Sequence, residues 1–157
     1  MRQSLSTGLG ETPSRATRGH RFAAVLTWGA LAGAVLMLAV IVIDQTGTQG
    51  LYGFTEATYA SSEVSPEPAV IYGVLYTMAI TITLAWSLML VALRARGWWP
   101  SILSAAAALV TGVLAVVLLT ATEYDENVFA PAWGLIALIP TVLGIAATVQ
   151  LARSARR

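Results

Sequence analysis

The chain has no cysteine and no lysine, one histidine, and little charge of either sign. Each absence removes a class of chemistry. Without cysteine there are no disulfides, no thiolate metal sites, no thiol redox steps and no cysteine-attached haem. His20 alone rules out a multi-histidine metal site within the chain. Charged residues are 11% of the 157, less than half of the about 25% that a soluble domain carries. There is no phosphate-binding glycine loop, no HExxH pair and no nucleophile beside a base. No catalytic residue, cofactor, metal ligand or nucleic-acid contact is therefore expected, and the chain does not read as an enzyme.

What it has is apolar length. Hydrophobic residues make up 57%, and the mean hydropathy is +0.72. Four runs are free of Asp, Glu, Arg and His: Phe22 to Ile43, Ala69 to Leu93, Ser101 to Thr122 and Val128 to Ala152. At about 1.5 Å per residue each can cross a hydrocarbon core of about 30 Å. Helix is the state that satisfies the backbone there, and the runs lack the strict alternation of a barrel. The expected fold is all-α: four transmembrane helices in an antiparallel bundle. Residues 1–20 read as a flexible cytoplasmic tail, 21–153 as the membrane domain and 154–157 as a basic cytoplasmic end.

Charge is sided. Arg2, Arg15, Arg18 and Arg21 precede the first run, Arg94 and Arg96 join the second to the third, and Arg153, Arg156 and Arg157 follow the fourth. Four spans put these segments on one side, so all nine Arg lie together. Asp44, Glu56, Glu63, Glu67, Glu123, Asp125 and Glu126 fall on the other, and only Glu11 accompanies the arginines. The positive-inside rule then makes both termini cytoplasmic. Tyr72, Tyr76, Trp98, Trp99, Tyr124, Phe129 and Trp133 sit near the ends of the runs, where aromatic rings favour the headgroup zone. Basic residues that are all Arg, with abundant Ala, Val, Leu and Gly, point to a GC-rich bacterial genome, hence to a bacterial inner membrane. The first run exceeds the usual signal-peptide core and lacks a clear small-x-small cleavage site, so it reads as an uncleaved anchor.

The cluster TEYDEN, with Glu123, Asp125 and Glu126 close together, reads as a short outside turn and not as a required metal site. The connection from Asp44 to Pro68 is the longest; Leu51, Tyr52, Phe54 and Tyr59 give it an apolar component that either lies on the outer surface or packs over helix ends. Pro66 and Pro68 are expected to close it, since proline suits a first helical turn. Both halves follow one plan: helix, acidic loop, Pro-Ala step, helix, Arg-rich end. That is compatible with duplication of a hairpin, and equally with what topology imposes.

Ionisable residues within spans are the usual functional signal of a membrane protein, and the runs contain none. Small multidrug exporters are similar in size but depend on a glutamate in their first helix, so that family is excluded. Packing chemistry remains. Gly29 and Gly33, Ala108 and Gly112, and Gly144 before Thr148 have the small-residue spacing that lets helices approach closely. Tyr76, Thr77, Thr81, Thr83 and Ser87 put hydroxyls on the second helix, either for ordinary packing or for a polar path. Pro140 lies mid-span in the fourth and is expected to kink it.

The stretch RGWWP, Arg96 to Pro100, opening the third run, resembles the small fourth subunit of actinobacterial haem-copper oxidases, which also has four helices. The likeness covers these residues and the topology only, and nothing further is rested on it. Besides the lipid bilayer, the expected partner is a larger membrane complex in which the chain is a non-catalytic accessory or scaffold subunit. The alternative is a small homo-oligomeric transporter or channel for a neutral or lipid-like substrate.

Overall fold

The computed structural model describes residues 15–60, 67–95, 97–123 and 126–155. In chain order they form α1 (Arg15–Ile43), a π-helical turn (Asp44–Thr48), α2 (Gly50–Tyr59), α3 (Pro68–Ala92), α4 (Trp99–Thr120), a small hairpin of β1 (Thr122–Glu123) and β2 (Glu126–Asn127), and α5 (Pro131–Ala155). The protein is all-α apart from that hairpin.

Four helical stretches are long and apolar enough to cross a membrane: Arg21–Thr48, Pro68–Ala92, Trp99–Thr120 and Pro131–Ser154. The shortest, at 22 residues, is about 33 Å long at the usual rise. Their outward faces are as apolar as their inward ones. Leu88 and Leu109 are each 69% exposed, and Val25, Leu36, Leu84 and Val142 also face outward. Water penalises apolar patches of that extent, whereas hydrocarbon accommodates them.

Proline and glycine punctuate the helices. Pro68 opens α3 behind an extended Glu67, Pro100 lies in the first turn of α4, and Pro131 opens α5. Proline costs least at these places because first-turn N–H groups have no partner in the helix. Between α3 and α4 the chain reverses at Gly97, whose φ of 87° would strain any residue with a Cβ.

α5 packs against α1 and α4, and α3 completes the ring by packing against the same two helices. Within hydrocarbon the hydrophobic effect does not hold helices together; close van der Waals packing does. The interior is built accordingly. Large side chains (Met37, Ile41, Leu75, Ile82, Trp86, Leu118) alternate with Ala30, Ala34, Ala79, Ala115 and Ala137, all buried. Trp86 reaches from α3 to Gly144 on α5.

Three stretches differ from the sequence reading. α1 begins at Arg15, so residues 15–20 of the expected tail are helical, while residues 1–14 lie outside the described residues. The Asp44–Pro68 connection contains a ten-residue helix, α2. α5 starts at Pro131 instead of Val128 because Val128 donates its N–H to Ala121 O at 3.0 Å, closing the hairpin.

Candidate functional site

Apart from Ser104, which pairs with Thr148, the described polar side chains with hydrogen-bond partners far away in sequence gather at the acidic end of the helices. Asp44 organises them. Its Oδ1 accepts from Thr48 Oγ1 at 2.7 Å and from Gly50 N at 2.9 Å. Its Oδ2 accepts from Leu51 N at 3.1 Å and from Tyr72 OH at 2.9 Å. One carboxylate thus caps the first two N–H groups of α2, where negative charge is favourable, and ties α2 to α3. Next to it, Tyr76 OH donates to Gln45 Oε1 at 2.7 Å. The turn between is tight: Gln49 has a left-handed φ of 48° and donates its N–H to Asp44 O at 2.7 Å.

α2 presents Leu51, Thr55 and Tyr59, four residues apart, as its buried face. That face meets the connection between α4 and α5. Thr55 Oγ1 lies 3.0 Å from Leu51 O and 3.1 Å from Val128 O, so its one proton is shared between them. Tyr59 OH donates to the Glu123 carboxylate. Phe129 and Trp133 are buried here as well. Together, residues 44–59, 121–123 and 126–133 cap one end of the helix ring.

TEYDEN forms the hairpin, with Thr122 paired to Asn127 and Glu123 to Glu126; Tyr124 and Asp125 lie outside the described residues. Among the described residues no three His, Asp or Glu side chains lie close enough to hold a metal ion.

Four of the five packing candidates meet α5, and the fifth lies on it. A Cβ built at Gly29 would lie 3.3 Å from Leu143 Cδ1, and one at Gly33 would lie 3.5 Å from Pro140 Cδ. One at Gly112 would lie 3.3 Å from Thr141 Cγ2. Gly144 itself is on α5, and a Cβ built there would fall on the Trp86 ring and lie 3.4 Å from Ala108 Cβ. Pro140 is fully buried in a helix that continues past it. It lacks the N–H that would bond Ile136 O, and its ring lies where Gly33 makes room on α1.

Of the polar-path candidates, Thr77 and Thr81 share one groove. Thr77, Thr81, Thr83 and Ser87 each donate to the carbonyl four residues earlier, all at 2.8 Å. Such bonds satisfy a hydroxyl inside hydrocarbon without a neighbouring helix. Thr77 and Thr81 are exposed and line an outward groove of about 480 Å³ with Val70, Gly73 and Leu114, while Tyr76 belongs to the cap. We expect Thr77→Val, Thr81→Val and Ser87→Ala each to change stability by no more than about 0.5 kcal/mol, since no partner elsewhere is lost. Thermal unfolding in detergent micelles measures this, and a loss of several kcal/mol would reveal an interhelical role.

Sequence reasoning missed α2 and the central place of Asp44. The signals were present in the spacing of Leu51, Thr55 and Tyr59 and in the match of adjacent Asp44 and Gln45 to Tyr72 and Tyr76 one turn apart. Compared with models of known families, with curated proteins and with solved structures, the chain matches none.

Proposed function

We propose that the chain is an integral protein of a bacterial inner membrane. It crosses four times as an antiparallel bundle with both termini in the cytoplasm, and serves as a non-catalytic accessory or scaffold subunit of a larger membrane complex. The shared side of the termini is supported by Gly19 of α1, whose added Cβ would lie 2.6 Å from Ser154 Oγ near the end of α5. The cytoplasmic assignment rests on the arginine asymmetry.

The observation that carries the accessory role is the state of the polar groups inside. The buried polar residues among those described are Thr27, Thr55, Ser104, Thr111 and Thr141. Thr27, Thr111 and Thr141 bond within their own helices, Thr55 belongs to the cap, and Ser104 pairs with Thr148 Oγ1 at 2.8 Å. Among the described residues no Asp, Glu, Arg or His is buried with them, and the buried Tyr59 and Tyr72 belong to the cap. Apart from the Trp86 indole N–H, which has no partner, the interior is satisfied in this way and offers structure and surface, and little chemistry.

One observation favours transport of a neutral or lipid-like substrate instead: Thr77 and Thr81 in the groove between α3 and α4. Extraction of native membranes directly into nanodiscs, followed by mass and composition analysis, separates the readings. The accessory role predicts a stoichiometric complex with a different protein. A homo-oligomer alone would contradict it and turn attention to flux assays in liposomes.

A further inference from the structure

Of the neighbouring helix pairs in the ring, α3 and α4 touch least, and the seam between them is open along its length. In one half the groove of about 480 Å³ runs from Val70 to Thr81. In the other half a second groove, of about 210 Å³, follows from Ala85 to Met89. On α3, Gly73, Thr77, Thr81, Ala85 and Leu88 recur along it every three or four residues, and on α4 Leu103, Ala107, Val110 and Leu114 do the same. That is the period of one helix face. From Val70 to Met89 the seam is about 28 Å long at the usual rise, close to the whole hydrocarbon thickness of about 30 Å. An acyl chain enters from one leaflet and covers half of such a length, whereas a transmembrane helix covers all of it.

The middle of the seam carries polar atoms that face outward. α3 runs from Pro68 to Ala92, so Thr77 and Thr81 flank its midpoint at Ile80. Both are exposed. Each hydroxyl spends its one hydrogen on its own helix, Thr77 on Gly73 O and Thr81 on Thr77 O. Each oxygen is left as an acceptor, and among the described residues no side chain donates to either. Hydrocarbon supplies neither a donor nor water at that depth. Beside them Gly73 leaves room, since a Cβ built there would meet nothing within 4 Å. The larger groove, between α4 and α5, lacks this combination. It spans Ala105 to Val117, about 18 Å, and its Thr148 hydroxyl is already paired with Ser104.

We propose that the α3–α4 seam docks one transmembrane helix of a partner protein, with a donor side chain of that helix (Ser, Thr, Asn, Gln or Trp) set at mid-membrane against Thr77 and Thr81. Gly73, Ala85 and Ala107 let the helix approach, and the two oxygens fix its register, as polar groups do between membrane helices. The inference rests on the accessory reading and gives the partner's contact a chemistry.

The test places a photoreactive benzoylphenylalanine in the full chain in native membranes, either at Val74, which lines the groove, or at Leu36, on the outward face of α1. Irradiation should give a discrete adduct with a different protein from position 74 and lipid adducts alone from position 36. Peptide mass spectrometry should place the cross-link in an apolar helix, within about one turn of a donor side chain. Thr77→Val combined with Thr81→Val should lower the yield of that adduct about five- to tenfold, the worth of two interhelical hydrogen bonds, while leaving the melting temperature unchanged. Thr77→Ser combined with Thr81→Ser should keep the yield. The proposal is overturned if position 74 gives lipid adducts alone, an adduct with a second copy of the chain or one with a small hydroxylated molecule, or if the valine pair leaves the yield unchanged. In any of these cases a stoichiometric hetero-complex in nanodiscs would leave the accessory reading standing, and a homo-oligomer alone would remove it as well.

Discussion

Gly144→Ala is expected to destabilise the folded chain by about 1–3 kcal/mol, the usual cost of overpacking a filled interior. Helix propensity argues the other way, because alanine is favoured over glycine mid-helix by about 1 kcal/mol. The sign of the effect therefore decides between them. Packing should win because the added methyl would fall on the ring of Trp86, which is fully buried. The added methyl would also come within 3.4 Å of Ala108 Cβ on α4. Combining Gly144→Ala with Trp86→Phe should recover much of the loss, since the smaller ring vacates the space the methyl needs. Trp86→Phe also removes an indole N–H that has no hydrogen-bond partner, which softens the cost of the smaller side chain. Equilibrium unfolding of the two single variants and the double variant forms a mutant cycle. A stabilised Gly144→Ala chain, or additive effects, would mean that Trp86 does not bridge α3 and α5 as described.

Asp44→Ala should cost at least about 3 kcal/mol, because it removes the shared acceptor of several donors at once. Gly50 N, Leu51 N and Tyr72 OH all lose the carboxylate, and α2 loses its cap. Asp44→Asn should recover part of the loss, since an amide oxygen still accepts but the second oxygen becomes a donor. The damage should be local as well as global. Amide exchange across Gly50–Tyr59 should accelerate more than exchange in α4 or α5, because α2 is held by Asp44 at its start and by the hairpin along its length. Equal protection of α2 in Asp44→Ala and in the parent chain would show that the cap does not depend on this residue.

These two residues differ in how legible they were. Gly144 stood out in the sequence by its spacing to Thr148, and the four apolar runs were plain because hydrocarbon admits few backbone states. Spacing could not reveal that Gly144 faces a tryptophan from α3, since that contact depends on the rotation of two helices far apart in the chain. Asp44 was visible as the residue ending the first run, but its hold on α2 and Tyr72 was not. α2 itself is poor in helix formers, with Gly50, Gly53 and four threonine or tyrosine positions in ten residues; its helicity comes from the cap and the buried Leu51–Thr55–Tyr59 face. The hydroxyls of α3 show the reverse case. Their number suggested a path, yet hydroxyls four residues past a free carbonyl satisfy themselves locally, and the sequence does not distinguish the two uses.

Threading is the most direct test of the account, and the absence of native cysteine makes it clean. Single cysteines introduced as Glu56→Cys, Glu126→Cys, Ala95→Cys and Arg153→Cys fall at exposed positions at the two ends of the helices. Each is treated with a membrane-impermeant maleimide, first in intact cells and then after lysis. Glu56→Cys and Glu126→Cys should label in intact cells, and Ala95→Cys and Arg153→Cys only after lysis. Labelling of Ala95→Cys or Arg153→Cys in intact cells, with protection of the other two, would contradict the threading on which the proposed role depends.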